Sequence, residues 1–191
     1  MRRTQGRPSH AVTASLERLI SLAAEAGLDF SKVESLGDTV VLLAGRCWEH
    51  SANIDLVRKQ IPRERRHTVS GVDLRLTSEP TEPVPDLIVV PEPLAPGAKP
   101  WAHETELLVE VVSQRNYRED YEGKRRRYAQ SGAPQYLLVD PRDGVCVLYT
   151  VPLKGEGTYD EIVTTKFGQP VEGVLCMDGG PLDTSEFLRY T

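Results

Sequence analysis

Two carboxylates sit where a carboxylate is costly: Asp86 opens the apolar run DLIVV, and Glu110 lies inside LLVEVV. An acid buried in an apolar strand must be paired or must bind a cation. Two of them on neighbouring strands point to a divalent metal site. Lys124 follows within one turn-and-helix length, in YEGKRRRYAQSG. A lysine beside such a pair suggests hydrolysis of a phosphodiester.

The elements that must position these groups can be read from periodicity. Asp86 to Val90 and Thr105 to Val112 read as strands, the second apolar almost without alternation, as suits a strand covered on both faces. A helix is expected from about Tyr117 to Ser131, ended by Gly132, followed by strands QYLLVD and VCVLYT around the turn PRDG. Upstream, Val12, Leu16, Leu19, Ile20 and Ala23 recur at helical spacing until Gly27. TVVLLAG reads as a strand, with Gly37-Asp38 as the turn before it and Val33 to Ser35 as its hairpin partner. A helix from His50 to Gln60 is stopped by Pro62, and Val72 to Leu76 reads as a strand ahead of EPTEPVP. The tail reads as a meander of TYDEIVTT, a Gly-Gln-Pro turn and VEGVLCM. These elements make an α/β domain with a mixed central sheet flanked by helices. A single domain over residues 1–191 is expected, with a helical region at 1–30, a core at 31–150 and a strand-rich extension at 151–191.

The 191 residues and 39% hydrophobic content suffice for one core. A net charge of −5 and a pI near 5.5 argue against coating nucleic acid by bulk positive charge, so any such contact rests on a local patch. Cys47, Cys146 and Cys176 are odd in number and widely spaced, which indicates neither a disulfide framework nor a zinc knuckle. No stretch has the length of a membrane span and MRRTQGRPSH has no secretory apolar segment, so a cytoplasmic protein is expected.

The ordered set PDLIVV, LLVEVVS and DYEGKRRRYAQSGAPQYLLVD, with looser similarity in VESLGDTVVLL and at His50, resembles the Uma-type restriction endonuclease family of the PD-(D/E)XK nuclease superfamily. The resemblance is strongest from Pro85 to about Tyr149. It implies a restriction-endonuclease-like sheet on which Asp86 and Glu110 ligate Mg²⁺ or Mn²⁺, joined by the backbone carbonyl of Val111, and in-line attack of water on DNA. Hard oxygen ligands suit those ions. Glu34 matches the acidic residue that supports the metal through water. His50 is a substrate contact near the cleft, and Arg115, Arg118 and Arg125 are candidates for phosphate contact, as is RERRH at 63–67.

One departure concerns catalysis directly. The superfamily lysine stands two residues after the acid, where this chain has Val112. Alternate strand residues share a face, so the amine must come from elsewhere, and Lys124 on the following helix is the substitute; the resembled family uses that position too. The ordinary readings are a strand-start Asp86, a Glu110 in a structural salt bridge with Lys124 or an arginine, an exposed Glu34, and a solvated face for Lys124 to Arg127. The alternative function is a catalytically inactive relative that binds nucleic acid or a protein. A homodimer would set two active sites against the two strands of a duplex.

Overall fold

The computed structural model describes residues 18, 32–36, 39–43, 47–80, 82–114 and 117–191. The chain divides into two units, Met1–Cys47 and Trp48–Thr191. In the first, strands Lys32–Leu36 (β1) and Thr39–Leu43 (β2) pair antiparallel with Leu36 opposite Thr39, the hairpin expected around Gly37-Asp38. The helix expected around Val12 to Ala23 lies outside the described residues.

The second unit is built on a mixed sheet. Helix Trp48–Gln60 (α1) is followed by strands His67–Val69 (β3), Leu87–Val90 (β4) and Leu107–Val111 (β5). A π-helical stretch, Glu119–Lys124, runs into helix Arg125–Gln130 (α2), and strands Gln135–Asp140 (β6), Val145–Leu153 (β7) and Thr158–Lys166 (β8) complete the sheet. Their spatial order is β3-β4-β5-β6-β7-β8. Only β5 and β6 run parallel, joined by the helical crossover that a parallel pair requires.

Strand alternation sorts the side chains into two cores. Leu107, Val109 and Val111 face one layer, covered by Ile54 and Val57 of α1, by Ile61 just after it, and by Val171, Leu182 and Phe187 of the tail. Leu108 and Val112 face the other, with Ile88, Tyr136, Leu138 and Tyr149, beneath Tyr128 and Ala129 of α2. Glu110, between Val109 and Val111, therefore looks toward the α2 side. Both faces being covered explains why β5 and β6 read as nearly continuous apolar runs, with Glu110 the exception inside β5.

Helix α2 ends as expected. Gly132 has φ +74°, its N–H bonds to Ala129 O at 3.0 Å, and the Ala133 N–H bonds back to Tyr128 O at 3.0 Å, a Schellman closure. Two expected strands are absent as such. Val72 to Leu76 makes one bridge, Arg75 with Trp101, because its partners come from proline-rich loops: Leu74 N bonds to Pro83 O and Arg75 N to Pro100 O. Proline offers a carbonyl but no N–H, so no ladder extends. In the tail, VEGVLCM contributes a bridge, Val171 with Leu182, and a 3₁₀ turn at Leu175–Met177; Gly173 at φ +79° breaks the extended run.

Candidate active site

Asp86 precedes β4 and Glu110 is the fourth residue of β5. The antiparallel register sets Ile88 opposite Leu108 and ends with Leu87 opposite Val109, so Asp86 and Glu110 are the next residues along the two strands. The Asp86 carboxylate is near enough to raise the cost of charging Glu110. Both acids are buried, at 4% and 2% exposure. The Val111 amide donates to Asp86 Oδ2 at 2.8 Å, and His50 Nε2 of α1 lies 3.1 Å from the same oxygen.

The crossover helix supplies the rest. Lys124 Nζ lies 2.9 Å from Glu110 Oε2 and 2.8 Å from Asp120 Oδ1, while the Tyr128 hydroxyl donates to Glu110 Oε1 at 2.8 Å. Asp120, Lys124 and Tyr128 recur every four residues, which puts them on one face of the helical segment above β5. A π-helical stretch is uncommon and is found frequently at functional sites. Val112, at the position of the superfamily lysine, is fully buried, and its carbonyl accepts a 2.6 Å hydrogen bond from the Tyr190 hydroxyl. That hydroxyl also lies 3.5 Å from His50 Nδ1.

The electrostatics are those of too little positive charge. Burial pushes the Glu110 carboxyl up to about 8; Lys124 opposes the rise, while Asp86 and Asp120 add to it. Burial likewise raises Asp120, again against Lys124. Burial pulls the Lys124 amine down, but Glu110 and Asp120 outweigh it and hold the amine above its ordinary value. Two buried acids thus share one lysine, with the Asp86 carboxylate beside them.

A hard divalent cation fits this donor set in kind: Asp86 and Glu110 offer carboxylate oxygens in a dry setting. Among the described residues, no three His, Cys, Asp or Glu side chains form a group able to hold a metal unaided. Main-chain carbonyl and water ligands would complete such a shell, as is usual for Mg²⁺.

The remaining expected residues are scattered. Glu34 lies on β1 in the other unit, and its side chain is outside the described residues, as is Arg115. Arg118 is exposed just before the π-helical stretch. Arg125 has a buried Nε with no hydrogen-bond partner and acts electrostatically on Tyr149. Much of the positive charge of the two basic runs is tied up. Arg127 pairs with Glu79 and Glu119, and Arg66 with Glu106 and Asp178. Sequence reasoning passed over three contributors. Asp120 and Tyr128 were legible from their four-residue spacing about Lys124, whereas Tyr190, at the far end of the chain, carried no local signal.

The family model Uma2, described as "Putative restriction endonuclease", matches residues 31–181. Among solved structures, the chain is similar to "a putative nuclease belonging to DUF820" from Anabaena variabilis, with a TM-score of 0.58 and 13% identity over 81% of this chain and 88% of that one. At that identity the likeness speaks for the fold. No curated protein matches the chain.

Proposed function

This chain belongs to the Uma2 family, and on that premise we propose that it is a divalent-metal-dependent endonuclease that hydrolyses phosphodiester bonds in DNA. The observation that carries the reading is the Lys124 amine 2.9 Å from Glu110 Oε2, at a buried acid aligned across the strand pair with Asp86. A structural salt bridge alone has no need of further buried carboxylates: Asp86 and Asp120 both raise the cost of charging Glu110.

In this reading Asp86 and Glu110 hold Mg²⁺ or Mn²⁺, with the Val111 carbonyl as a third ligand. When bound, the ion activates water and screens charge on the phosphoryl oxygens. The residues of the chain do the remaining work. Tyr128 fixes one oxygen of Glu110 and leaves the other toward Lys124. Lys124 sits at the attacking side and holds the proton-bearing nucleophile in place. The Val111 amide of β5 and His50 of α1 orient Asp86. Arg118, exposed at the entry of the helical crossover, is available for backbone phosphate.

Supercoiled plasmid and single-stranded DNA incubated with Mg²⁺, Mn²⁺ or EDTA test this. Nicking that requires the metal is expected, and well-folded protein that cuts neither substrate with any metal rejects the reading.

A further inference from the structure

The two edges of the sheet are unlike. On one side β3 ends it with three residues; on the other β8 ends it with nine, Thr158–Lys166, and among the described residues no further strand pairs with it. Natural sheets guard a long edge with proline, bulges or inward charges, because its unpaired N–H and C=O groups are a template for another strand. β8 carries charges toward its ends, at Asp160, Glu161 and Lys166, and leaves Ile162-Val163 between them exposed at 52% and 49%.

Exposed apolar surface gathers at this edge. Seven large apolar side chains stand exposed among the described residues, and four of them, Val151, Ile162, Val163 and Leu175, lie on β7, on β8 or beside them. Val151, Val163 and Leu175 line one groove of about 300 Å³ with Leu148, and Glu161 and Glu172 share its wall. A contiguous apolar patch with a polar rim marks an interaction surface.

We propose that β8 is a dimer interface, in which a second copy of this chain pairs antiparallel with it across a two-fold axis near Val163 and joins two six-stranded sheets into one. Charge selects this occupant and this direction. The strand is acidic at one end, Asp160-Glu161, and basic at the other, Lys166. An antiparallel copy lays each acidic end against the partner's Lys166, whereas a parallel copy would set like against like. Ile162 and Val163 point to opposite faces, so the pairing covers apolar side chains on both. On the groove side, Val163 falls at the axis and meets its own symmetry mate, while Leu175, held over β6 by the bond from its N–H to the Gln135 side chain, extends the apolar surface inward from the edge. A two-fold contact uses the same surface on both copies and closes, so it satisfies the β8 edge without growing into a fibre. The inference does not depend on the nuclease reading.

Sedimentation or light scattering of the full chain over a concentration series tests it. The wild-type chain is expected at twice its 21.2 kDa mass. Val163→Lys is expected at the single-chain mass with unchanged circular dichroism, since the side chain is already half in solvent, and with a melting temperature that no longer rises with protein concentration. Lys166→Glu alone and Asp160→Lys with Glu161→Lys should each weaken association about tenfold, and combining all three should restore it. A wild-type chain that stays at the single-chain mass up to its solubility limit overturns the proposal. So does a dimer whose mass and affinity are untouched by Val163→Lys and by the charge reversals, because that dimer uses another surface.

Discussion

Glu110 accepts a hydrogen bond from Tyr128 on one oxygen and an ion pair from Lys124 on the other, yet burial still pushes its carboxyl up to about 8. The folded chain therefore holds this proton more tightly than the unfolded chain does. Stability from this group is complete below the ordinary carboxylate range and is lost as pH rises through about 8. Metal-free protein should melt at a lower temperature at pH 9 than at pH 5.5, and Glu110→Gln should flatten that dependence; scanning calorimetry at the two pH values checks it. Lys124 offers the complementary test. Its removal strips two buried acids of their cation, so Lys124→Ala should cost on the order of 2 kcal/mol in metal-free urea unfolding at pH 9, where Glu110 is charged, less than a fully buried pair because the lysine side chain is about a fifth exposed and the acids can take up protons. A cost near zero would mean that the acids are already protonated and the pair carries no energy.

The crossover between β5 and β6 is the element that turns sequence spacing into a site. Its Asp120, Lys124 and Tyr128 reach the Glu110 site from one face of the helical stretch, and Gly132 at φ +74° ends that stretch and turns the chain into β6. Gly132→Ala places a Cβ in the left-handed region and should destabilise the protein by about 1 kcal/mol, read as a lowered urea midpoint at unchanged slope. Much of this element was legible in the sequence: the apolar runs of β4, β5 and β6, the helix after Tyr117 and the Gly132 stop all follow from local chemistry. The alignment of Asp86 with Glu110 could be anticipated only as two neighbouring strands, since register depends on pairing across the chain. Val72 to Leu76 and the tail were misread for a related reason. Each is extended and apolar, but hydrogen-bond partners from proline loops and glycine breaks decide whether a ladder forms, and those partners are remote in sequence. The tie from Tyr190 to Val112 and His50 belongs to the same class.

For the molecule as a whole, the two buried thiols report on one of the two cores, the layer that α1 and the tail cover. Burial pushes Cys146 and Cys176 each up to about 12, while Cys47 is exposed. One thiol should react with a chromogenic disulfide reagent at pH 8 in the native protein, and three should react after denaturation; fast reaction of all three in the native state would contradict the packing of the core between the sheet, α1 and the tail. No helix among the described residues is long and apolar enough to cross a membrane. The overall acidity and the commitment of Arg66 and Arg127 to carboxylates mean that binding to DNA, if it follows the proposed reading, rests on few cations and should show a shallow salt dependence. The most direct test of the central claim is single-turnover cleavage of plasmid DNA with Mg²⁺ by the wild-type chain beside Asp86→Ala, Glu110→Gln and Lys124→Ala. The account predicts metal-dependent cutting that is abolished in the first two and slowed about 10²–10⁴-fold in the third. Cutting that survives Glu110→Gln in a homogeneous, folded preparation would place the chemistry elsewhere and contradict it.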